Sequence, residues 1–588
     1  MSKFLGSVAK LIGSVAIIAA GYVVGGPLGA AIASAVVMAG NAALAKKPSQ
    51  VTGGSQTEFS ADPRAGVPYA LGRTGTKGNI IFRRSSDGFA HNAYNDLMDI
   101  VTVLSGGGPI QSIESFTSDK GAVTFDGAGN AIGTYHDWMF QKTQLGQCPE
   151  SIALNVAAGS SSGLSGWTSA HKLSGLAAAV WRLRYDSKGK IFSNGVPDPM
   201  WVVKGIKCYD PRRDSTYPGG SGAHRWNDRT TWEWSENPYL VALAWCIGIT
   251  QNGKRVMGLG ASIDQIIVSQ FVEGAGIAEA NGWTVSGVIF SRPDTKWNNL
   301  KLILQAGGAE PVPIGARIGL RINTPRVSLA TITRSDIIGD ATLATTQPRR
   351  SRINTVIPRY RSEAHNWEIV PGGEIRVAGY VTEDGDERTR EIEFPLVPGV
   401  NQAAALARYE IENSREMGAG TFPLKPAWAN YKPGDCLTID LDDLAAQKII
   451  VMTREIDPQG AKVTFGVRSE TDAKHAFALG QTTTPAPTAS VAAYDPSVPA
   501  PDSGDWSIGG ASITANGSSQ PAIVATGNVS NTLADAVIWD IRAYVSGAGT
   551  DANWTAAGID SPLAKVTSRT SRSPDRPSTI AFVLMSTP

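Results

Sequence analysis

"YDPRRDSTYPGGSGAHRWNDRTTWEWSENPYLVALAWC", residues 209–246, divides the chain into a β-rich front and a mixed middle. It follows a strand-like run, "MWVVKGIKCYD". Asp210-Pro211 predicts an Asx-type turn, and a Gly-rich loop then leads to Trp226, Trp232 and Trp234. Asn237 is placed as an N-cap with Pro238 at the first helical position. Leu240, Leu243, Ala244 and Ile247 fall at i, i+3, i+4 and i+7, and Gly248 can end the helix. One reading of the tryptophans is a loop anchored by aromatic side chains; the other is an aromatic platform for a sugar.

Upstream, residues 67–210 read as all-β. "VPYALGRTGTKGNIIF" (67–82) predicts two strands around the turn Gly75-Thr76-Lys77-Gly78, and short strands separated by Gly/Ser loops continue from there. Downstream, Ser262 and Gln265 have capping-box spacing and predict a second helix starting at Ser262. "WTVSGVIF" (283–290) predicts a strand, 294–306 a third helix and "GARIGLRI" (315–322) another strand, making 236–325 an α/β module. Residues 326–480 read as β again, with one helix at 401–417 carrying the i,i+4 pair Arg408 and Glu412. "YKPGDCLTIDL" (431–441) is a Pro-Gly-Asp turn into a strand, and "KIIVMTREIDPQGAKVTFGV" a hairpin. Residues 481–505 contain five prolines and no Lys or Arg, a linker composition. Strand-like pieces in 506–588 predict a small β-sandwich.

A chain of 588 residues is too long for one core. The expected organisation is 1–50, an apolar Gly/Ala-rich helical segment; 51–235, a first β domain with inserted loops; 236–325, α/β; 326–480, a second β domain; 481–505, linker; and 506–588, a fibronectin III-like sandwich. With 53 basic and 52 acidic residues, the formal charge of +1 points to neither a nucleic acid nor an anionic membrane surface.

Residues 11–45 carry no charge. They are longer than the apolar core of a secretory signal, although Ala43-Leu44-Ala45 resembles a cleavage site. Gly25-Gly26-Pro27 interrupts what would otherwise be a spanning helix. Gly21, Gly25 and Gly29 recur four apart, which allows close helix packing against a second copy or a partner.

The sequence marks no catalytic, cofactor or metal site. The histidines (His91, His136, His171, His224, His365 and His475) are scattered, and Cys148, Cys208, Cys246 and Cys436 form no CxxC pair, as expected of isolated reduced thiols. Gly159-Ser160-Ser161-Ser162-Gly163 matches GxSxG but lies in a Ser/Gly loop without the strand and helix of a nucleophile elbow. "GRTGTKGN" lacks phosphate-loop spacing. A glycosidase carboxylate pair can converge from anywhere in a chain, and no motif marks one.

The run "YDPR…W.WS.NP.L…" resembles the tail-tip hub family of long-tailed phages, the lambda-like host-specificity proteins, with members in gene transfer agents. "NGWTVSGVIFSRPDTKWNNLKLILQAGGAEPV" (281–312), the helix "NQAAALARYEIENSREM" and the turn "YKPGDCLTIDL" are similar to further parts of that family, in the same order, across residues 60–480. The resemblance implies tail-tube-like β-barrel hub domains, two per subunit. It implies a homotrimer at the distal end of the tail tube, contacting the tube or a distal tail protein and the tape-measure protein, and opening for DNA ejection. It also implies a virion location after assembly in the host cytoplasm, with no enzymatic activity, cofactor or sequence-specific nucleic-acid binding. Lambda-type members run on into a receptor-binding fibre; here one small domain follows the linker, so a separate fibre is expected at 506–588. For 11–45 the expectation is a lumen plug or an arm that touches the host membrane transiently. The alternatives are a tail-associated cell-wall or capsule glycan hydrolase, and a carbohydrate-binding adhesin using Trp226, Trp232 and Trp234.

Overall fold

The first strand, Val67–Leu71, pairs antiparallel with Gly287–Ser291, far along the chain. This is seen in a computed structural model that describes residues 66–487, apart from 89–94, 120, 157–162, 187–188, 193–194, 293–294, 345–346 and 443, together with strand backbones between 506 and 587. The apolar segment 11–45 and its expected helix lie outside these residues, as do His91 and most of the linker. No helix among the described residues is long and apolar enough to cross a membrane.

The chain then enters two facing sheets. Arg73–Thr76 joins Pro199–Lys204, Ser112–Ser118 and Gly121–Val123, whereas Asn79–Ser86 joins Leu97–Ser105, Ala177–Arg184 and Met139–Gln144. The turn at Gly75–Gly78 is therefore not a hairpin but a corner between sheets. Gly78 (φ +65°) allows it: a Cβ there would lie 2.2 Å from Cγ2 of Thr102 on the adjacent strand. Phe116, Trp181 and Trp201 pack together, with Phe116 and Trp201 ring centroids 5.0 Å apart. Leu97–Ser105 is buried along almost its whole length because Leu154, Val156 and Leu164 of a long loop cover its second face.

Helix α1 (Pro238–Ile247) starts where the sequence places it. The Asn237 side chain accepts from the Tyr239 N–H, and Gly248 (φ +80°) ends the helix. Helix α2 does not begin at Ser262. The capping box at Ser262 and Gln265 closes a short 3-10 turn, and α2 spans Val268–Asn281. The intervening Ile267 is drawn out of helical geometry because its N–H bonds to the Ile318 carbonyl at 2.9 Å. Helix α3 is Lys296–Ala306, and the strand expected over 283–290 is confined to Gly287–Ser291. Ala309–Ile314 and Arg317–Ile322 form a hairpin.

Beyond residue 326 the packing divides. A six-stranded half-barrel runs Thr331–Ile332, Cys436–Leu441, Leu444–Asp457, Lys462–Ser469, Gly420–Leu424, Thr342–Leu343, around Phe422, Leu437, Val451 and Phe465. Its strand Cys436–Leu441 is entered through Pro433-Gly434-Asp435, where the Asp435 carboxylate accepts from Lys432 N–H at 2.9 Å. The second sheet centres on Thr355–Ser362, with Glu368–Pro371 and Ile375–Arg376 antiparallel and Thr389–Phe394 parallel to it. Helices α4 (Ala378–Asp384), α5 (Val400–Asn413) and α6 (Ala473–Leu479) accompany this sheet. Ala403, Ala407 and Tyr409 of α5 share one core with Tyr239 and Trp245 of α1 and with Tyr69, so this layer packs with 236–325 rather than inside the half-barrel.

Thr488–Pro588 forms a unit of its own. Its strands make two antiparallel sheets, one of Trp506–Ala515, Ser518–Gly527 and Val566–Arg572, the other of Thr555–Asp560, Ala536–Tyr544 and Thr579–Thr587. The chain is thus mainly β, with a helical layer in its middle.

Candidate functional site

The loop after Cys208 is held by a dense polar network. Asp210 caps the 3-10 turn Pro211–Arg213, the expected Asx-type turn, accepting from Arg212 N–H at 3.0 Å. Arg212 then lies between two carboxylates, Asp210 at 2.8 Å and Glu279 of α2 at 2.7 Å. The hydrogen bond from Arg212 holds the Glu279 carboxyl below its ordinary range, and those carboxylates push the Arg212 guanidinium up. Asp214 is buried and accepts from Tyr209 Oη at 2.7 Å, Thr216 Oγ1 at 2.6 Å and Arg225 at 2.9 Å. Burial opposes its charge, yet the bonds from Thr216 and Tyr209 prevail and keep its carboxyl low. The His224 ring Nδ1 accepts from Asp210 N–H at 3.2 Å.

The network reaches outward in three directions. Arg229 donates to the Gly107 carbonyl at 2.6 Å, tying the loop to the first β region. Glu236, whose carboxyl burial pushes up, accepts from Arg73 N–H. The Asn237 amide donates to Ala275 O on α2 at 2.9 Å. The charged groups here are spent on one another, which suits a bracket between layers rather than acid–base chemistry.

The three tryptophans do not form a platform. Trp232 is buried and its indole N–H donates to Arg225 O at 2.8 Å. Trp234 is half-buried, donates to Gly72 O and lies under the Lys204 ammonium at 5.0 Å. Trp226 alone of the three is exposed, at 37%.

Of the GxSxG match, Gly159–Ser162 lie outside the described residues, and the Gly163 carbonyl accepts from buried Arg182. The four cysteines are free and Cys208, Cys246 and Cys436 are buried. Among the described residues no group of His, Cys, Asp and Glu could hold a metal ion.

Two buried ionic clusters escaped the sequence reading. Asp99 and Arg182 face each other across paired strands, 2.6 Å apart and fully buried. The signal was a charge inside each of two apolar runs, "DLMDIVTVL" and "AAAVWRLR". Glu470 meets Lys474 at 2.5 Å and His475 at 2.9 Å, and Lys474 reaches Glu416 at 3.4 Å, tying α6 to the half-barrel. His475 also contacts Tyr409 Oη at 3.2 Å.

No family model matches the chain, and no curated protein does. Among solved structures, the chain is similar to a component of the virion of a native gene transfer agent particle, at 15% identity and a TM-score of 0.47, over 72% of this chain and 88% of that one. It is also similar to the tail protein from Neisseria meningitidis MC58, at 10% identity and a TM-score of 0.27, over 69% and 96%. Both likenesses are distant.

Proposed function

We propose that this chain is a structural virion protein, a hub that closes the distal end of a long-tailed phage tail tube as a homotrimer. On this reading it contacts the tube and the tape-measure protein and opens for DNA to pass into the host. The observation that carries the reading is the use made of residues 209–237, the stretch on which the family resemblance rests. They form an internal bracket that joins the first β region, through Gly72 and Gly107, to α2 through Glu279 and Ala275. That is a structural role for the most distinctive motif in the chain. A β region on one side of a helical layer and a half-barrel on the other suit a subunit that contributes two β domains to a ring.

Imaging of assembled particles with the copy number at the tip tests this. Three copies at the distal end are expected; any other stoichiometry there overturns the trimeric hub. Two further assignments belong to the same proposal. Residues 11–45 serve as a lumen plug or membrane-touching arm, so deleting residues 2–45 should give tails that assemble but eject poorly. Residues 506–588 serve as the dock for a separate fibre. The protein is not an enzyme on this reading, and clearing of peptidoglycan or capsule in zymograms of the purified chain would contradict it.

A further inference from the structure

A concavity of about 800 Å³ opens between α3, the strand Ala309–Ile314 and α5, on residues that the bracket does not use. Its wall includes Trp297, Lys301 and Gln305 from α3, Glu310, Asn323, and Glu410 from α5. The volume lies in the range of pockets that take small molecules.

The chemistry of the wall is specific. Trp297 is half-buried, offering an apolar aromatic surface with its position fixed by the core beneath. Lys301, the Asn323 side chain and the Trp297 indole N–H form no hydrogen bond or ion pair among the described residues, so the wall keeps donors unspent. Glu310 and Glu410 supply acceptors. Glu410 is exposed on the wall of the hollow. Desolvation by the neighbouring protein and then the charge of Glu310 push its carboxyl up, against the pull of Arg390 and Arg468. Arg321 is already paired with Glu310, which leaves the Glu410 carboxylate against the unpaired Lys301 ammonium and little net charge for a strongly ionic ligand.

A neutral sugar matches this wall. Its C–H face stacks on an indole, while its hydroxyls need both donors and acceptors at short range. We infer that the hollow between α3 and α5 is a binding site for a short neutral oligosaccharide, with Trp297 as the stacking surface and Glu410, Glu310, Lys301 and Asn323 as hydroxyl partners. The inference goes beyond the hub reading and does not depend on it: a chain that fails to form trimers could still bind the sugar, and the reverse.

The test titrates the purified full chain with an N-acetylglucosamine tetramer and maltotetraose, and with oligogalacturonate as the anionic arm. Saturation-transfer NMR and tryptophan emission report binding. The expected result is millimolar or tighter binding of a neutral oligosaccharide, weakened about tenfold or more by Trp297→Ala and by Glu410→Gln, and largely restored in Trp297→Phe. If Trp297→Ala fails to fold, Lys301→Ala and Glu410→Gln decide, since both positions are exposed. No binding by either neutral probe, binding untouched by these variants, or preference for the anionic probe would overturn the inference.

Discussion

Gly75 lies so close to Trp367 that a Cβ on it would sit 2.0 Å from Cδ1 of the indole. The Arg73 guanidinium lies over the same ring, 5.6 Å from its centroid, and pairs with Glu363 at 2.8 Å. A strand of the first β region is thereby seated against a loop from the sheet that follows the α/β segment. The contact depends on a missing side chain.

Gly75→Ala should destabilise the protein by about 1–3 kcal/mol, because the rigid indole is itself buried and a Cβ there would overpack the contact. Trp367→Ala alone should also destabilise. The double variant should lose less than the sum, since removing the ring removes the clash. Urea unfolding of the four forms measures this; strict additivity would mean that the strand shifts away instead.

Breaking the buried pair should be more severe. Arg182→Met leaves the Asp99 carboxylate uncompensated in the first β core and should cost about 3–5 kcal/mol. Adding Asp99→Leu should recover part of that loss, visible as a higher unfolding midpoint in the double than in Arg182→Met.

The Glu410 carboxyl is raised above its ordinary value of about 4.3. Between that value and the raised one, the folded state holds a proton that the unfolded chain has lost, so this group makes stability fall as pH rises. Glu410→Gln should therefore melt at a higher temperature than the parent at neutral pH. The difference should close below about pH 4, where both states are protonated. Thermal scans across that range check it, and a gap that persists in acid would refute the linkage.

Asn237→Ala removes the acceptor that caps α1 and the amide that bonds Ala275 O. A loss of about 1–2 kcal/mol is expected. Asn237→Asp keeps the cap but not the donor, and its carboxylate approaches Glu279, so it should fall between the two in chemical denaturation.

Local signals proved most legible. Asn237-Pro238 and Gly248 delimit α1, and Pro433-Gly434-Asp435 turns into its strand, because each depends on chemistry within a few residues. The Ser262 box was legible as a cap but not as the cap of a single turn, since Ile318, a distant strand residue, claims the Ile267 N–H. The corner at Gly78 looks like a hairpin until Thr102 and the second sheet are in place. Trp226, Trp232 and Trp234 are near neighbours in sequence, yet burial separates them, and no spacing reveals which indoles the backbone will occupy. The wall of the α3–α5 hollow comes from segments too far apart for any motif to join.

The pairing of Val67–Leu71 with Gly287–Ser291 also sets a schedule for synthesis. The first β region bonds the alternate residues Pro68 and Ala70, through Gly106, Ile206 and Ser105, but the other edge of the strand waits until Ser291 has left the ribosome. Long-range closure of this kind slows folding and leaves an open edge exposed meanwhile. A nascent chain halted just before Gly287 should therefore be readily digested near Val67, while one halted well beyond Ser291 should resist.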